Sequence, residues 1–266
     1  MRKYLTVFGL SFQNEFTYRL NFILWRFRNV LRMMMVFILW NSVFAVNKVA
    51  FGYTREQMLT YVFLVLIVSA FVASAPSNEN IGGEISNGDL SNYLLKPVNY
   101  LKFWLTRDWA SKLLNIIFAA GEVTLLYLWL KPQIFLAASL VTLVIGVVMC
   151  LVAALLYFYL TKIAVFVSFW APENTWGAMF TILIAVEMLG GTIFPLDILP
   201  NWANTALQFT PFPYLVYYPI ATLVGKLSLG QSVRILFQAI VLLSLIWYLA
   251  MKIWKNGLKV YQASGR

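Results

Sequence analysis

Apolar residues run through this sequence in blocks of about twenty, each long enough for a helix to cross the hydrocarbon of a bilayer. Six such blocks are predicted, over 27–47, 58–75, 113–130, 134–161, 176–194 and 235–253. The intervals between them are short, so residues 1–266 read as one all-α, polytopic membrane domain with six transmembrane helices. Ahead of the first block, 3–21 has the pattern of an amphipathic helix lying in the membrane interface. Leu5, Phe8, Phe12 and Phe16 share a face, and Arg2, Lys3, Gln13 and Arg19 serve the other side. Gln13, Asn14 and Glu15 interrupt the apolar core a signal peptide needs, so no cleavage is expected. Pro76 closes the second block, and Lys131-Pro132 reads as a tight turn into the fourth. The fourth carries Gly146, Cys150 and Ala154 at four-residue intervals, small residues that let helices approach closely. Beyond it, 163–170 is apolar enough to extend the helix, while Pro172, Glu173 and Asn174 require a turn.

Two intervals stand apart. The longest polar one, 81–98, has the grammar of two short helices. Ser77 or Asn78 can cap the first, Asn87-Gly88 supplies a left-handed break, and Asp89 can cap a second that Pro97 stops. Leu90, Tyr93 and Leu94 then share a face, either as an apolar knob for docking or as part of a merely solvated helical loop. The other interval, 195–219, contains Pro195, Pro200, Pro211, Pro213 and Pro219 among Trp202, Phe209, Phe212, Tyr214, Tyr217 and Tyr218, which excludes a continuous helix. Short broken helices dipping into the outer leaflet fit this composition, and so does an interfacial loop with an aromatic belt.

Composition agrees with the pattern: 61% hydrophobic, 17% aromatic and 11% charged residues exclude a soluble domain. The net charge of +10 is distributed by side. Cations from Arg2 to Arg32, Lys96 to Lys112, Lys162, and Lys252 to Arg266 fall on one face of the membrane, leaving Lys48, Arg55, Lys131, Lys226 and Arg234 on the other. The richer face is expected to be cytoplasmic, with both termini, and the charge speaks for anionic lipid and not for nucleic acid. No histidine is present, which removes histidine bases, serine–histidine triads and His-based zinc sites. No catalytic residue, metal site or directly bound cofactor is expected. The chain has no phosphate loop, since Gly225-Lys226 lacks the upstream glycine, and the single Cys150 allows no internal disulfide.

Glu187 lies about a dozen residues into the fifth block, where a charged side chain costs roughly 2.5–3.5 kcal/mol, so it should face protein or a water-filled path. One role for it is structural: the neutral carboxyl donates a hydrogen bond to a backbone carbonyl freed by Gly190, Gly191 and Pro195. The other is to gate or line an outward exit beside Phe194, with Glu122 on the third block as a second polar point.

Glu84, then Gly88, Asp89 and Leu90, then Leu94, Leu95, Lys96, Pro97 and Val98, resemble the first cytoplasmic loop of the ABC type-2 transporter permeases. A second patch, Gly190-Gly191-Thr192-Ile193-Phe194-Pro195-Leu196-Asp197-Ile198-Leu199-Pro200-Asn201-Trp202, is similar to that family's segment after the fifth span. The resemblance implies a coupling helix within 77–98, with Tyr93 beside the matching residues, resting on a separate cytoplasmic ATP-binding subunit that carries the ATP and magnesium. It also implies a second permease copy or homologue, location in the plasma (inner) membrane, and export; the aromatic, methionine-rich and nearly uncharged spans favour a hydrophobic or amphipathic substrate. Two alternatives belong to other classes. One is a membrane-embedded lipid-modifying transferase using Glu187, Asp197 or Glu122 as acid or base; the other is a non-transporting anchor for an ATPase.

Overall fold

A computed structural model describes residues 2–15, 19–46, 49–75, 77–136 and 139–262. Among them the chain forms eleven α-helices: α1 Arg2–Glu15, α2 Arg19–Val46, α3 Arg55–Val72, α4 Ser77–Ser86, α5 Leu90–Leu94, α6 Tyr100–Leu130, α7 Leu140–Val165, α8 Thr175–Leu189, α9 Asn201–Leu207, α10 Tyr217–Leu223 and α11 Leu229–Val260. A two-residue antiparallel hairpin joins α2 to α3, Val49–Ala50 pairing with Tyr53–Thr54. Phe51 and Gly52 turn it with φ of 53° and 74°, the geometry that matches the twist of paired strands.

Among the described residues five helices are long and apolar enough to cross a membrane: α2 from Arg26, α3, α6, α7 with its 3-10 extension to Phe169, and α11. The block expected over 176–194 is cut short. α8 has 15 residues, about 22 Å of helix, and stops at Gly190. A Cβ on Gly190 would lie 2.3 Å from the Val186 carbonyl oxygen, and Gly191 sits at φ +80° with Tyr217 Cβ and the Tyr61 hydroxyl at 2.8 and 2.9 Å from where its own Cβ would be. Gly191→Ala is therefore expected to lower stability by about 1–3 kcal/mol through left-handed strain and crowding. A thermal unfolding midpoint equal to that of the parent protein would refute it.

Other boundaries also move for local reasons. α6 begins at Tyr100 instead of 113, because the Asn99 side chain accepts from the Lys102 N–H (2.9 Å) and starts the helix there. Its polar first half, which reads as loop in sequence, buries Asp108 and Lys112. Lys131 ends α6 in the left-handed conformation, and α7 starts only at Leu140, so Lys131-Pro132 opens a longer connection and not a tight turn. α3 and α11 start at capping boxes, Thr54 with Gln57 and Ser228 with Gln231, ahead of the blocks predicted for them. Along α1, Ser11 is buried, Phe8 and Phe12 are half-buried on the side that packs along α6, and Leu5 is exposed, so the predicted apolar face is split. Phe16 lies outside the described residues, as do Pro76, Lys48 and Arg266.

α11 lies along α7, and α3 sits among α2, α6, α7 and α10. On the small-residue stripe of α7, a Cβ at Gly146 would meet the Leu223 side chain of α10 at 2.6 Å, so a larger residue there would force that leucine to move. In the 195–219 stretch, Tyr214 to Tyr218 lie buried in the largest core cluster, while Trp202 and Phe209 around α9 are exposed. The backbone groups freed where α8 breaks are satisfied within the protein. The Tyr217 N–H donates to Gly190 O (3.0 Å), the Tyr61 hydroxyl to Gly191 O (2.5 Å) and the Trp40 indole to Ile193 O (3.2 Å).

Candidate functional site

The α4–α5 loop stands on a buried, charged footing. Asp108 of α6 accepts from the Ser77 N–H (3.0 Å) and from its hydroxyl (2.6 Å), so it is Asp108, and neither Ser77 nor Asn78, that caps α4. Lys162 of α7 donates to Ser77 Oγ (2.5 Å) and Asn78 Oδ1 (2.6 Å), with the Asp108 carboxylate 3.9 Å away. Lys112, one turn beyond Asp108, donates to the carbonyls of Phe71, Val72 and Ser74 at the end of α3. All of these side chains are buried, Ser77, Asp108 and Lys162 completely. Two of the three charges meet the helix end of opposite polarity, the Asp108 carboxylate at the N-terminus of α4 and the Lys112 ammonium at the C-terminus of α3, while Lys162 is offset by the Asp108 carboxylate beside it.

Above this footing an aromatic cluster carries the loop. Trp254 of α11 stacks on Tyr100 with ring centres 5.3 Å apart and packs against Phe166 and Phe169. A Cβ on Gly257 would lie 2.3 Å from the Phe169 ring, so glycine sets how near α11 comes. Leu90 is fully buried in the cluster. The expected face therefore divides: Leu90 belongs to the core, Tyr93 packs on Tyr100 and Phe103, and Leu94 is exposed with its neighbour Leu95, at 49% and 87%. Lys96 and Pro97 are exposed too, and Lys3 of α1 donates to Pro97 O (2.5 Å).

Glu84 points inward. Its Oε2 accepts from the Tyr100 hydroxyl (2.5 Å) and the Trp104 indole (3.2 Å). The Tyr93 phenol is pushed up to about 12, first by burial and then by the charge and hydrogen bond of Glu84. Gly88 provides the predicted left-handed break at φ +84°. Asp89 occupies the cap position of α5 without a side-chain bond. Sequence reasoning missed what holds this turn: the Tyr261 hydroxyl, just past α11, donates to Gly88 O (2.5 Å) and accepts from the Ser91 N–H (3.0 Å).

The polar points on the helices are paired. Arg26 binds Glu122 through both carboxylate oxygens and reaches Asn115 Oδ1 at 3.3 Å. Glu187 pairs with Arg32 of α2, so its carboxylate is an ion-pair acceptor and not the donor to a freed carbonyl that the sequence suggested. Those carbonyls already have Tyr61, Trp40 and the Tyr217 N–H. Asp197 accepts from the Tyr53 hydroxyl at 2.9 and 3.0 Å, beside Lys226, which lies over the Tyr53 ring at 3.7 Å. The three carboxylates that a transferase would draw on are thus each held by a different partner. The cations Arg26, Arg32, Lys112 and Lys162 carried one usable signal, their position inside or beside apolar blocks, where an unpaired charge is costly.

No curated protein matches the sequence significantly. A family model described as "ABC-2 family transporter protein" matches residues 30–265, which includes the α4–α5 loop, its footing and the broken segment after α8. The chain belongs to the ABC-2 family of membrane transporter proteins.

Proposed function

We propose that this chain is the permease subunit of an ATP-binding cassette exporter, a single transmembrane domain that works with a separate ATP-hydrolysing subunit and a second permease. In this reading α8 and the broken segment after it make a sixth crossing, with irregular backbone tolerated at depth because it packs on protein. The termini and the α4–α5 loop face the cytoplasm, in keeping with the cation asymmetry. Glu84, Gly88, Asp89, Leu90 and Tyr93 shape the loop; Leu94, Leu95, Lys96 and Pro97 meet the ATPase. Closure of the ATPases around ATP pushes the loop, and the push passes into α6, α7 and α11. A hydrophobic or amphipathic cargo moves outward, and Glu187, with Arg32, works near the exit beside Gly190, Gly191, Phe194 and Pro195.

The observation that carries this reading is the exposed Leu94-Leu95 pair at the tip of a loop whose base is buried and charged. Leu94→Asp with Leu95→Asp should leave the protein inserted and folded but remove ATPase co-purification, because a carboxylate would have to be desolvated at the contact. Full retention of the ATPase in that variant would overturn the coupling role. For topology, in a Cys150→Ala background a cysteine at Gln133 should react with an impermeant thiol reagent from outside, and one at Asn99 should not. The opposite pattern would invert the arrangement.

A further inference from the structure

One face of α11 changes chemistry abruptly along its length. Phe237, Val241, Leu245 and Tyr248 are exposed at helical spacing, and the same stripe continues as Lys252, Lys255 and Lys259, also exposed. At 3.6 residues per turn the three lysines fall within an arc of about 60°, opposite the buried Trp254 and Gly257. Among the described residues no carboxylate pairs with any of them. An apolar stripe ending at a tyrosine and passing into lysines is the profile of a lipid molecule read from its chains to its headgroup. A protein partner that met only the lysines would leave that continuity unexplained.

We propose that Lys252, Lys255 and Lys259 bind anionic phospholipid headgroups, and that lipid bound there keeps Tyr261 seated on the turn between α4 and α5. Tyr261 follows Lys259 by two residues, and its hydroxyl holds both Gly88 O and the Ser91 N–H. Like charges three and four residues apart repel on a helix, so without an anion the last turn of α11 opens more often and holds the tyrosine less firmly. A lipid phosphate removes the repulsion and fixes the turn. The inference needs α11 to cross the membrane, as its length and composition allow, and stands whether or not the loop meets an ATPase.

The test uses the full chain in nanodiscs of phosphatidylcholine, with or without one part in three of phosphatidylglycerol. Two readouts are taken: anionic lipid retained after washing, by mass spectrometry, and hydrogen exchange over 87–92. Each lysine should contribute about fivefold in affinity, from about 1 kcal/mol per cation near an anionic surface. The K252Q/K255Q/K259Q variant should therefore retain at least tenfold less phosphatidylglycerol, and salt should weaken retention by the parent. Phosphatidylglycerol should slow exchange over 87–92 in the parent but not in the triple variant. Tyr261→Phe should keep the lipid and lose the slowing. Equal lipid retention by parent and triple variant would overturn the site, and so would unchanged retention accompanied by loss of a co-purifying protein, which would make the lysines a protein interface. Lipid bound with no change over 87–92 would overturn the link to Tyr261.

Discussion

Asp108→Asn is expected to cost about 3–5 kcal/mol of stability, because it leaves two buried ammonium groups with no carboxylate between them. Asparagine can still accept one bond from Ser77, so the loss reports charge more than shape. Lys162→Met is expected to cost somewhat less, since Ser77 and Asn78 lose a donor while Asp108 keeps its two bonds from Ser77. The double variant should be more stable than the two losses added together, as removing both members of a buried pair leaves less uncompensated charge than removing one. Reversible unfolding by denaturing detergent gives all three values. Strict additivity, or single losses below about 1 kcal/mol, would show that the footing of α4 is not an electrostatic unit.

Arg26→Met should be comparably damaging, at about 3–5 kcal/mol, because Glu122 would stay within the helix packing without its counter-ion. The pair is well enclosed, with 7% and 17% of the two side chains exposed, so solvent screens it little. Glu122→Gln keeps a hydrogen-bond acceptor and a donor at the site and should cost less. It also separates two roles for Glu122. If the residue only joins α2 to α6, transport by Glu122→Gln should follow its modest loss of stability. A collapse of transport at normal abundance and near-normal unfolding would instead make ionised Glu122 part of the substrate path.

Much of the architecture can be read from periodicity, because burial in lipid and burial in protein both demand apolar residues. Five of the six apolar blocks correspond to long helices, Gly88 is where the loop turns left-handed, and Gly146 is where α10 comes close. The block at 176–194 reads as continuous because glycine pairs do not interrupt hydropathy; α8 ends where Gly191 turns left-handed at φ +80°, a position whose crowding by Tyr217 and Tyr61 leaves no room for a side chain. The polar first half of α6 read as loop for the converse reason, its charges lowering hydropathy although they are buried by partners far along the chain. Lys162 meets Asn78 across 84 residues and Arg26 meets Glu122 across 96, and no local pattern encodes such pairings. Leu90 and Leu94 have the same chemistry and adjacent helical positions, and only Trp254 and Tyr100, arriving from two other helices, decide which is core.

The footing of α4 also sets an order of events at the ribosome. α3 and α4 are made long before their partners: Asp108 emerges 31 residues after Ser77, and Lys162 only 85 residues after it. Until α7 is synthesised, the Asp108 carboxylate and the Asn78 amide oxygen lack the Lys162 ammonium that they face, so this corner stays in water while α6 is already threading into the bilayer. Chains truncated before Lys162 should accordingly leave the region around Ser77 open to protease, whereas chains that extend a few turns beyond it should shut it away. Integration of the early helices and closure of the loop's base are thus separate steps, the second waiting on a lysine near the end of the fourth long helix.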